Sequence, residues 1–66
     1  MKNTVKEERL KMQLTQVQLA EMVGVSRQTI FSIEISKYTP SIVLSLKLAK
    51  AFGKKAEDIF HLEKTD

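Results

Sequence analysis

Leu14-Thr15-Gln16-Val17-Gln18-Leu19-Ala20-Glu21-Met22-Val23-Gly24-Val25-Ser26-Arg27-Gln28-Thr29-Ile30-Phe31-Ser32-Ile33-Glu34 carries two helix starts and one helix stop in close succession. Thr15 and Gln18 form a T-x-x-Q capping box, in which the hydroxyl accepts from the backbone and the amide side chain reaches back; Leu14, just before the cap, can staple against Leu19. This predicts a helix from Gln16 to Val23. Gly24 ends it, because glycine takes the left-handed conformation after a helix without a Cβ penalty. Only Val25 then separates Gly24 from Ser26, a good N-cap, so a further helix must turn sharply away and begin at Arg27.

Two short helices joined by a tight glycine-containing turn, with Ala20 small enough for close approach and Val25 buried in the turn, read as a helix-turn-helix. The second of the pair buries Ile30, Ile33 and Glu34 on one face, which leaves Arg27, Gln28, Phe31, Ser32 and Ile35 pointing away from the core. Upstream, Val5 to Met12 reads as a first helix with Val5, Arg9 and Met12 on one face. Downstream, Pro40 keeps Lys37-Tyr38-Thr39-Pro40 as a loop, Ser41 caps a fourth helix that stops at Gly53, and a fifth spans about Lys55 to Ile59. Ile59-Phe60-His61-Leu62-Glu63 alternates. With Phe60 and Leu62 facing inward, it can pair with Lys2 to Val5 as a two-stranded β tie under the core, leaving Ile59, His61 or the fourth-helix face outward. The expectation is an all-α fold of five short helices, with the helix-turn-helix at helices two and three, and a small β tie between the chain ends.

The 66 residues fit a single domain, 1-66, with one small core. With 42% hydrophobic and 29% charged residues and only two Gly and one Pro, the composition is globular and too poor in breakers for a many-turned β fold. There is no cysteine to staple so small a core, which favours self-association. No apolar leader or spanning segment and no lipidation signal is apparent, so a cytoplasmic location with no membrane partner is expected. The net charge of +3 is unevenly spread: residues 26 to 55 hold Arg27, Lys37, Lys47, Lys50, Lys54 and Lys55 against Glu34 alone. That region suits a polyanion.

The residues from Leu14 to Glu34, continued by Lys37-Tyr38-x-Pro40-Ser41, Leu44, Lys47-x-Ala49, Phe52-Gly53 and Glu57-Asp58-Ile59-Phe60, resemble the phage repressor and Cro-type (Xre) helix-turn-helix family. The resemblance spans nearly the whole chain without gaps, and is strongest to short stand-alone repressors of the cytolysin-repressor type. It implies a transcriptional regulator, a repressor in the first instance, that binds an operator in double-stranded DNA; the homodimer expected from the small size and surplus apolar surface would make that operator palindromic. It further implies that Gln16 clamps a phosphate and that Arg9 and Glu34 form a structural ion pair. Two positions depart from the family pattern. Ile35-Ser36 stands where Asn or Gly usually lets the chain turn, and Glu8 stands where an apolar residue is common.

A helix N-terminus in the major groove aims its first-turn side chains at base edges. Gln28 there offers a donor and an acceptor that match adenine bidentately, whereas Arg27 can fork to guanine or to a phosphate. Ser32, one turn on, has a short reach suited to a direct or water-mediated base contact. Gln16 lies at a helix start that favours phosphate, and Ser26 and Thr29 are within reach of the backbone. Lys37 and Tyr38 would anchor the adjoining strand and add affinity more than sequence preference. Phe31 can meet a thymine methyl, or Phe31 and Ile35 pack on each other.

The alternative reading is an antitoxin or adaptor module that keeps the fold and uses Phe31 and Ile35 to bind protein. Enzyme chemistry is not expected. One His, no Cys and no Gly-rich phosphate loop provide no catalytic residues, no metal site, no cofactor and no small-molecule ligand; Glu57 and Asp58 suit a helix start instead. The dimer expectation rests on the fourth helix, whose apolar residues occupy more of its circumference than one small core can cover.

Overall fold

A computed structural model describes every residue, Met1–Asp66. The elements run β1 (Lys2–Asn3), α1 (Val5–Lys11), α2 (Gln16–Val23), α3 (Arg27–Glu34), α4 (Ile42–Phe52), α5 (Ala56–Ile59) and β2 (Phe60–His61). Five helices and a small antiparallel ribbon are thus present, as the sequence implies. Leu19, Ile30, Ile33, Leu48, Ile59 and Val5 are the large side chains buried at its centre, one or two from each helix. Ala20, Val23, Leu44 and Ala49 complete the core, and Leu14, Val25 and Phe52 pack against its edge half-buried.

The helix ends follow the residues expected to make them. Thr15 Oγ1 accepts from Gln18 N at 3.0 Å while Gln18 Oε1 accepts from Thr15 N at 2.8 Å, closing the capping box. Ser26 and Ser41 cap α3 and α4 through their side-chain oxygens. Gly24 and Gly53 take φ of +74° and +66°, so each helix before them ends in a left-handed turn.

Two local expectations are corrected. Helix α1 stops at Lys11, and Met12, the residue just past its end, is exposed although its N–H still bonds the Glu8 carbonyl in the helical pattern. Glu8 takes the inward place instead. Lys54 Nζ donates to its Oε2 at 2.9 Å and Lys11 Nζ at 3.4 Å, which supplies the partner that a carboxylate in an apolar position requires. The Lys54 hydrogen bond, opposed by burial and helped by the charges of both lysines, holds the Glu8 carboxyl below its ordinary pKa.

The second correction is at the terminal ribbon, which pairs Lys2 with His61 and Asn3 with Phe60. Here Ile59 is fully buried and Leu62 is exposed, opposite to the expected facing. The cause is that α5 continues through Ile59, so the helical period carries that side chain inward, and pairing ends before Leu62. Thr4 N donates to Ile59 O at 2.9 Å and extends the tie.

Candidate nucleic-acid interface

Arg27 and Gln28 occupy the first two positions of α3, both exposed, because Ser26 starts the helix immediately after the turn. The same start fixes Thr29. Its N–H donates to Ser26 Oγ at 3.2 Å, and the two hydroxyls share a further hydrogen bond at 2.9 Å. Ser26 and Thr29 are therefore engaged with each other, with lone pairs and one hydroxyl hydrogen shared between them. One turn on, Phe31 is 40% exposed and Ile35 52% exposed, so neither is hidden by the other, while Ser32 is half-buried.

Past the end of α3 the backbone folds back. The N–H groups of Lys37 and Tyr38 both donate to the Ser32 carbonyl, at 2.9 and 3.1 Å, and Ser36 takes φ +60°. Ser36 thus adopts the left-handed conformation for which Asn or Gly is usual, at a cost of about 1 kcal/mol. The result places Lys37 and Tyr38, both exposed, at the C-terminal end of the α3 face.

Gln16 is half-buried at the first turn of α2, and its carboxamide has a partner that its position in the sequence does not reveal. Nε2 donates to Glu34 Oε1 at 3.1 Å. Glu34 also accepts from Arg9 Nε at 2.7 Å and from Arg9 Nη2 at 3.2 Å, and Arg9 Nη1 donates to the Leu14 carbonyl at 2.9 Å. The implied Arg9–Glu34 pair is present and secluded, with side-chain exposures of 9% and 3%. Such a pair adds little net stability, yet breaking it from one side costs about 3–5 kcal/mol.

Two shallow grooves flank the start of α3. On one side Gln16 and Arg27 face each other across a groove edged by Gln13 and Thr15. On the other, Thr29 and Tyr38 share a groove with Ser41 and Lys47. Sequence reasoning marks Lys47 by its charge alone and not as a site residue, because its nearness to Tyr38 depends on how α4 packs. All eight candidate residues therefore lie on α3 or at its rims, with Gln16 the one tied inward. The only acidic residue on α3, Glu34, is neutralised by Arg9, so α3 presents no free carboxylate beside them.

No group of three or more His, Cys, Asp or Glu side chains is gathered to hold a metal, and no helix is long and apolar enough to cross a membrane. A tight two-helix turn with a polar, basic-flanked third-helix start defines a helix-turn-helix protein. The family model described as helix-turn-helix matches residues 5–59, and the chain belongs to the Xre-type helix-turn-helix family of transcriptional regulators.

The chain is 52% identical over 63 residues to YgzD, an uncharacterized HTH-type transcriptional regulator of Bacillus subtilis, covering 96% of each chain. It is 56% identical over 63 residues to an uncharacterized HTH-type transcriptional regulator of Methanocaldococcus jannaschii, again covering 96% of each. Among solved structures it resembles the restriction-modification controller protein C.AhdI from Aeromonas hydrophila, with a TM-score of 0.78, 30% identity and 85% of each chain covered.

Proposed function

We propose that the chain is a non-enzymatic, sequence-specific DNA-binding repressor that docks α3 in the major groove. The observation that carries this reading is the first turn of α3, where Arg27 and Gln28 are exposed with no side-chain partner in the protein. There Gln28 reads adenine and Arg27 takes guanine or a phosphate. Ser26, Thr29, Lys37, Tyr38 and Gln16 bind the sugar-phosphate backbone, and Ser32 approaches a base edge. Repression follows from occupancy of the operator, in keeping with the short stand-alone repressors it resembles. Such a protein acts in the cytoplasm and needs no cofactor or metal.

Operator binding is by a dimer on a palindrome. The longest dimension of the chain is 32 Å, and successive major grooves on one face lie about 34 Å apart, so one copy supplies one recognition helix per site. Ile42, Val43 and Leu46 are 77%, 59% and 56% exposed on α4, an apolar stripe that favours a second copy. Residues 1-66 act as one DNA-binding domain.

Selection of duplexes from a random pool, followed by mobility-shift titration against random competitor, tests the reading. A selected palindrome bound at least about a thousandfold more tightly than competitor supports it. Equal affinity for all duplexes sinks it and favours the antitoxin or adaptor reading, for which the exposed Phe31 and Ile35 are the suitable surface. Sedimentation equilibrium gives twice the 7.5 kDa chain mass if the dimer is right; a monomer that binds half-sites as tightly as full sites removes it.

A further inference from the structure

The Arg9–Glu34–Gln16 chain of hydrogen bonds joins the last residue of α3 to the first residue of α2, across the turn that relates the two helices. A glutamine at a surface helix start would ordinarily sample many rotamers, at an entropy cost when any one of them is required for binding. This one is already held. Glu34 Oε1 accepts one of the two Nε2 hydrogens at 3.1 Å, which also fixes which end of the carboxamide faces inward, since a carboxylate cannot donate to Oε1.

We infer that Glu34 is a positioning residue for DNA binding: it presents the remaining Nε2–H of Gln16 as a preset donor to a backbone phosphate, while Arg9 cancels the charge that would otherwise repel that phosphate. The inference rests on the proposed docking of α3, and adds to it a role for two secluded residues, Arg9 and Glu34. Glu34 is suited to this by geometry. Its Oε2 is taken by Arg9 Nε at 2.7 Å, so the carboxylate plane is fixed, and Arg9 is in turn anchored on the Leu14 carbonyl at 2.9 Å, next to the α2 cap. The carboxamide therefore has a rigid base on three helices. The alternative, in which the network is only a brace between helices, has no reason to include a side chain from the rim of the polar face. Unlike Lys37, a preset neutral amide contributes a directional hydrogen bond and no counterion release, so its removal lowers affinity without changing the salt slope.

The test uses the full chain and a duplex selected by it, with single phosphates replaced in turn by neutral methylphosphonate. One position per half-site is expected to weaken the native protein by roughly 2- to 10-fold, the range of one net hydrogen bond, and to leave Gln16→Ala unaffected. Glu34→Gln is expected to lose most of that penalty in the Gln16 background, and to bring no further loss at that phosphate when Gln16→Ala is also present. Full retention of the penalty in Glu34→Gln, or equal and additive losses in both backgrounds, overturns the inference. If the native protein shows phosphate penalties but none depends on Gln16, the inference fails while the docking stands; if no duplex is selected, the docking itself fails. Should Glu34→Gln not fold, the side-chain amide protons of Gln16 in the native protein settle the matter by NMR. One is expected to keep its shift on addition of the duplex and the other to move; movement of both, as when the amide leaves Glu34 on binding, overturns the inference.

Discussion

Asn3 grips the carbonyl of Ile33: its Nδ2 donates there at 2.8 Å, and its Oδ1 accepts from Val5 N at 3.1 Å. One side chain thus caps α1 and fastens the terminal ribbon to the last turn of α3. Thr4, the residue formally at the cap position, makes no side-chain cap bond, and its hydroxyl has no partner. Asn3→Ala removes a cap and a tether together, so we expect a loss of about 1–2 kcal/mol, read from the urea midpoint. Hydrogen exchange should quicken around residues 33 to 36 more than in α2. An unchanged midpoint counts against the tether.

Gln28 and Lys37 are expected to fail in different ways. Gln28→Ala should weaken binding to a selected duplex by roughly 1–3 kcal/mol and relax preference at one base pair per half-site. Lys37→Ala should weaken all duplexes alike and reduce the salt slope by about 0.9 for each phosphate no longer neutralised. Mobility shifts over a series of salt concentrations separate the two. A Gln28→Ala protein with unaltered preference means that α3 is not docked by its first turn.

The Glu8 carboxyl has a folded pKa lowered chiefly by the Lys54 hydrogen bond, against the opposing effect of burial. Its contribution to stability is therefore complete above the ordinary glutamate pKa and is lost as pH falls through the lower folded value. Stability measured by urea titration should decline across that acid interval. Glu8→Gln should flatten this part of the profile while lowering stability at neutral pH, because Lys54 and Lys11 lose their acceptor charge. A profile identical to that of the native protein excludes Glu8 as its source.

Ser36 holds φ +60° at the end of the α3 turn. Ser36→Gly should relieve about 1 kcal/mol of left-handed strain, partly offset by the greater freedom of glycine when unfolded. The denaturant midpoint is expected to rise, with DNA affinity unchanged because Lys37 and Tyr38 keep their backbone bonds to Ser32. A lower midpoint shows that the Ser36 side chain contributes something its geometry does not reveal.

Most of the fold is readable from cap residues and helical spacing, since Thr15-x-x-Gln18, Ser26, Ser41, Gly24 and Gly53 act through bonds within a few residues of themselves. The expectations that fail are those needing a register. Met12 shares the spacing of Val5 and Arg9 but lies past the end of α1 and is exposed, and Leu62 falls inward only on an alternation that begins one residue after α5 has already buried Ile59. Of the candidate site, the exposed first turn of α3 follows from its cap. The bond from Gln16 to Glu34, the closeness of Lys47 to Tyr38 and the pairing of Lys54 with Glu8 do not, because each joins residues that only the packed helices bring together.

The β1–β2 ribbon joins Lys2 to His61, almost the full length of the chain, whereas the capped helices form from neighbours. Chain closure of that kind is slow relative to helix formation and is expected to be made last. Its ladder is two residue pairs long, extended by the Thr4–Ile59 bond and by the Met1 amino group against Glu63 and Asp66, and with Lys2 and His61 exposed it is expected to open before the capped helices. Because Asn3 belongs to that ribbon, opening of the chain ends also releases the Ile33 carbonyl, so the mobility of the last turn of α3 is expected to follow that of the two chain ends.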